Sequence, residues 1–235
     1  IVTRSAGTFT AGTDLNVGGN WSAAIGSVFT PGTGTVTFNG TGAQSILGTL
    51  ATKNFNNLTI NKTVGTLLNM TAGTAITVSG NLTQTQGDFT PPATLTFSGS
   101  VVLTAGTFTA GTNINVSGDW TNNGGTFTPG AGTVTFNSTT ASQAINGTAA
   151  AQTFNNLTVN NTGQILSVAG STTTLTLNGA FVLTAGDFVA PSTMTITGLT
   201  TLTAGTFTAG ATITAGSNWA NNGGAFVAGT GTVTF

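Results

Sequence analysis

Histidine, cysteine, tyrosine and glutamate are absent from this chain of 235 residues, and charged residues make up only 3% of it, against about 25% in an average soluble domain. Each gap excludes something. Without cysteine there is no disulfide framework and no thiol nucleophile. Without histidine, the side chain that titrates near neutral pH and most often ligates metals is missing. The ionisable side chains are Arg4, Lys53, Lys62, Asp14, Asp88, Asp119 and Asp187, for a net charge of −1. So weak a field steers neither nucleic acid nor anionic lipid, and it permits self-association. No long apolar run is present to span a membrane. The chain opens Ile1-Val-Thr-Arg4 with neither an initiator Met nor a signal peptide, which reads as a processed chain or a window of a longer one.

What is present is repetition. Ala6-Gly-Thr-Phe-Thr-Ala-Gly12 returns unchanged at 105–111 and 204–210, a step of 99 residues. Trp21, Trp120 and Trp219 keep that step, as do Phe55 and Phe154, and Asp88 and Asp187. The chain therefore divides into super-repeats 5–103 and 104–202 and a partial third, 203–235, read together as one continuous structure. Within them, runs such as Thr35-Val-Thr-Phe38 and Thr94-Leu-Thr-Phe97 alternate polar and apolar residues. Period-two alternation rich in Thr, Val, Ile and Phe predicts half-buried strands. Gly-Thr-Gly, Asn-Gly-Thr and Pro-Gly between the runs supply turns. No segment has helical spacing.

The second super-repeat is cut here at 104–120, 121–145, 146–166, 167–183 and 184–202, five sub-repeats of 17 to 25 residues. Units of about 20 residues with two or three short strands match one coil of a solenoid. The expected fold is an all-β parallel β-solenoid (β-helix) of roughly twelve coils, making a rod on the order of 55 Å long. Neither end carries a distinctive cap. The coils near Ile1 and Phe235 are therefore expected to present raw strand edges, through which copies stack head to tail as a homopolymer.

The phrase running from Phe29-Thr-Pro-Gly-Thr-Gly-Thr-Val-Thr-Phe38 through Gln44-Ser-Ile46 to Phe55-Asn-Asn-Leu-Thr-Ile-Asn61 resembles repeats of very long secreted bacterial surface proteins, adhesin-like or filament-forming. The resemblance covers the whole chain. It implies a right-handed parallel β-solenoid, an extracellular or cell-surface location, and a structural or adhesive role.

Some β-helices cut acidic polysaccharides, which requires paired carboxylates or another acid–base pair. Here Asp88 and Asp187 are equivalent positions of successive super-repeats. Asp119 aligns with Asn20 and Asn218, and Asp14 with Asn113. A position shared by Asp and Asn caps a turn rather than moving protons. The expectation is no enzyme, no catalytic residue, no cofactor and no metal site, since carboxylates this sparse hold calcium poorly. Asn-x-Ser/Thr sequons at Asn20, Asn39, Asn57, Asn61, Asn69, Asn81, Asn115, Asn137, Asn146, Asn156 and Asn160 read first as turn chemistry and side-chain ladders. Trp21, Trp120 and Trp219 read as core fillers, and the Phe residues as a stacked internal ladder. The alternative for the tryptophans is a face that binds cell-surface glycans. Outward Thr pairs such as Thr35/Thr37, Thr94/Thr96 and Thr133/Thr135 raise ice binding as a further alternative, opposed by their scatter among different phrases. The leading expectation is a structural subunit of an extracellular filament, with an adhesin stalk as the alternative.

Overall fold

Alternation decides what each strand buries. In Thr35–Phe38, Val36 and Phe38 are 2% and 0% exposed while the threonines between them stay half-exposed. The same in–out pattern holds in Thr94–Phe97 and Thr174–Leu177. A lone strand of this kind buries nothing. Its apolar face is covered only when the chain winds round and sets further strands against the same interior. The computed structural model describes residues 1–63, 65–70 and 75–235. Among them there is no helix, and all strand pairings are parallel. The chain is a parallel β-solenoid of about 11 turns with three strands to the turn. It separates into two compact units, Ile1–Ile114 with Gly124–Thr128, and Asn115–Asn123 with Pro129–Phe235.

In the first unit, one face stacks Val2–Arg4, Trp21–Ala23, Gln44–Leu47, Leu67–Met70, Asp88–Thr90, Thr107–Thr109 and Thr126–Thr128. A second face holds Gly7–Thr10 with Ser27–Thr30 as a separate two-stranded ladder, then Thr52–Phe55, Ala75–Val78 and Thr94–Phe97. The third holds Asp14–Val17, Thr35–Phe38, Asn57–Asn61, Leu82–Gln86 and Val101–Leu103.

In the second unit, Asn156–Val168 and Phe181–Val189 bend at a register shift, so that each serves two faces. Their leading halves stack with Thr133–Phe136, Thr200–Leu202 and Trp219–Asn221. Their trailing halves stack with Trp120–Asn122, Gln143–Gly147, Thr206–Thr208 and Ala225–Val227. The third face is Ala151–Phe154, Thr174–Leu177, Thr193–Ile196, Thr212–Ala215 and Thr232–Thr234.

Ladder partners correct the five-way cut of the super-repeat. From Val2–Arg4 the chain runs fourteen strands to reach the equivalent Val101–Leu103. At three strands to the turn, that is four and two-thirds turns. The copies consequently change face. Phe9 pairs with Phe29 on the second face of its unit, whereas its equivalent Phe108 pairs with Phe89 on the first. In the second unit, Trp120 sits opposite Ile145, and its equivalent Trp219 opposite Thr200 on another face. The 17-residue sub-repeat 167–183 is thus no coil, because Leu166 and Leu183 belong to different faces. True turns run from 19 to 25 residues, as between Asp88 and Thr107 or Asn20 and Ser45.

Candidate functional site

Every ionisable side chain bonds to the main chain. The four carboxylates each reach the next turn: Asp14 Oδ1 accepts from Thr35 N at 3.0 Å, Asp88 from Thr107 N at 2.9 Å, Asp119 from Ala144 N at 2.8 Å and Asp187 from Thr206 N at 2.8 Å. Asn20 Oδ1 accepts from Ser45 N at 3.0 Å, in the same place as Asp119, so the shared requirement is an acceptor oxygen and not a charge. Asn57, Asn81 and Asn156 do likewise for Asn81 N, Ser100 N and Ala180 N. These sequon asparagines are rungs of side-chain ladders, as the composition suggested. The side chain of Asn69 lies outside those described.

The two lysines point inward, and Arg4 is half-buried. Arg4 donates to Thr8 O at 2.8 Å. Lys53 Nζ donates to Gly48 O and Leu50 O at 3.2 and 2.9 Å. Lys62 Nζ donates to Gly40 O at 3.0 Å, Gly42 O at 2.9 Å and Gln44 Oε1 at 2.7 Å, with the residue fully buried. Burial pushes both lysines below the usual lysine range, because a charge removed from water is penalised. Sequence reasoning missed this pair, although the signal was there. In Thr52-Lys53-Asn54-Phe55 the alternation that buries Phe55 also turns Lys53 inward.

Trp21 and Trp120 are 2% and 0% exposed, and Trp219 is half-buried. The two buried indoles fill core rather than line a surface. The phenylalanines do form ladders, but not among equivalent copies. Phe89 meets Phe108 at 5.2 Å and Phe108 meets Phe127 at 5.4 Å between ring centroids. A second ladder runs Phe188, Phe207, Phe226 at 5.2 and 5.6 Å. Where Ser27–Thr30 ends its short ladder, a cavity of about 420 Å³ opens, lined by Trp21, Phe29, Leu50, Lys53 and Phe55 among others.

The threonine pairs singled out in the sequence do not stack on one another. Thr35/Thr37 belongs to the third face of the first unit and Thr94/Thr96 to its second, while Thr133/Thr135 stands beside Asn156 and Thr158. Rows form elsewhere, on the third face of the second unit, where Thr174, Thr193, Thr212 and Thr232 align and Thr176, Thr195, Thr214 and Thr234 run beside them.

Among the described residues no three of His, Cys, Asp and Glu gather as metal ligands, and no helix is long and apolar enough to cross a membrane. Comparison with protein-family models, curated proteins and solved structures returns no match.

Proposed function

We propose that the chain is a structural segment of an extracellular filament, with its ladder propagated head to tail through the coils near Ile1 and Phe235. One observation carries this reading: all seven ionisable side chains bond to the main chain, and so serve to join turns to one another or to brace a turn. Catalysis would need such groups aimed at a substrate. The cell-surface placement rests on the resemblance of the repeat phrases to those of secreted surface proteins. A hydrated, almost uncharged exterior suits that setting, because salt has little there to screen.

Negative-stain electron microscopy, paired with sedimentation over a concentration series, tests the proposal. Fibres that lengthen with concentration are the expected result. A chain that stays monomeric throughout overturns head-to-tail assembly and leaves a stalk within a longer polypeptide.

A further inference from the structure

The geometry points to the third face of the second unit as an ice-binding surface, its ligand the ordered water lattice of a growing ice crystal. Four consecutive strands there read Thr174-Leu-Thr176, Thr193-Met-Thr195, Thr212-Ile-Thr214 and Thr232-Val-Thr234, in strict register, with Thr153 extending one row. The central residues Leu175, Met194 and Ile213 are buried at 0% exposure and pin each rung from below. The threonines on either side point outward, and among the described residues no hydrogen bond joins any of these eight hydroxyls to another protein group.

Spacing makes the rows a lattice. Stacked strands repeat at about 4.8 Å, and alternate residues along a strand at roughly 6.7 Å. Thr174, Thr193 and Thr212 follow one another at a constant 19 residues, so the rungs stay aligned where other turns of the chain lengthen to 25. β-Branching restricts each threonine to few rotamers, so hydroxyl and methyl are presented alike on every rung. The oxygen rows of hexagonal ice repeat at distances close to these. A rigid grid of hydroxyls and methyls can hold water in that pattern with little further ordering cost.

Charge supports the same occupant. Asp119 and Asp187, the only ionisable side chains of the second unit, bond to Ala144 N and Thr206 N on a different face. The threonine face is neutral, as a surface apposed to a neutral crystal must be. A polyanionic glycan would find no cation there.

The test is freezing hysteresis and ice-crystal shaping by the purified chain. The wild type is expected to hold open a gap between melting and freezing and to facet the crystals. Thr193→Lys and Thr195→Lys, which break the grid at its centre, should lose most of that gap while keeping the wild-type circular dichroism. Thr96→Lys, on a face of the first unit, should keep it. A folded wild type that neither shapes ice nor delays freezing overturns the assignment whatever the variants do. So does a gap that survives both central substitutions. Side-to-side dimers abolished by Thr195→Lys, without any effect on ice, would give the face to a second copy of the chain instead.

Discussion

Lys62 and Asn161 are equivalent residues of successive super-repeats, and they solve the same interior position differently. The lysine ammonium lies among three oxygens. The shorter asparagine is fully buried, with neither amide atom bonded to protein. Copying the second solution into the first, as Lys62→Asn, strips Gly40 O and Gly42 O of their donor. Urea denaturation should show a loss of about 1–3 kcal/mol, the range for stranding buried acceptors. The lysines also set a pH dependence. Their native pKa values lie below the ordinary lysine value of 10.5, so on a rise in pH the folded chain gives up these protons before the unfolded chain does. Wherever the unfolded state binds more protons, stability increases with pH. The urea midpoint should therefore climb as pH approaches 10.5 from below, and the climb should shrink in Lys62→Met, which has no proton to release.

Turns constrain the strands they join. Gly106 has φ +81, and a Cβ there would lie 1.9 Å from Gly87 O in the turn beneath. Gly106→Ala meets both left-handed backbone strain, itself about 1–3 kcal/mol, and a backbone clash. Thermal unfolding should show a loss at or above the top of that range. Asp187 tests the opposite expectation. Asp187→Asn keeps an acceptor for Thr206 N and should change stability by less than about 0.5 kcal/mol, whereas Asp187→Ala removes the acceptor and should cost about 1 kcal/mol. At this scale the sequence was largely readable. Alternation in Thr94–Phe97 marked both strand and inward face, and the Asp/Asn exchange between Asn20 and Asp119 marked an acceptor oxygen, which proves to be a rung to the next turn and not the turn cap expected. Ladder partners were not readable, because they depend on how many residues each corner absorbs. Gln44 Nε2 donates to Val17 O on the preceding turn, 27 residues back, and nothing in local composition fixes that distance. The threonine grid escaped notice for the same reason: Thr174, Thr193 and Thr212 become neighbours only once turn lengths are known.

Because stability in a solenoid is nearly a sum over neighbouring turns, whole turns can be removed. Leu183 pairs with Leu202, so deleting 184–202 joins the chain where one turn ends and the next begins. The shortened protein is expected to fold with one cooperative transition and a urea m-value reduced roughly in proportion to length. Deleting 184–193, which stops partway round, should broaden or abolish the transition. Super-repeat and turn are different periods. Equality of sequence marked the first unmistakably, through Ala6–Gly12 and its two copies, and concealed the second.

That mismatch acts as a vernier. A super-repeat of fourteen strands on a three-sided coil returns each landmark one side short of where it began, and only a third super-repeat brings it back. Any feature written once per unit is then dealt to the three sides in rotation. A longer array of this sequence would have no front or back: a flat partner approaching from any direction would meet the same marks, at intervals three units long.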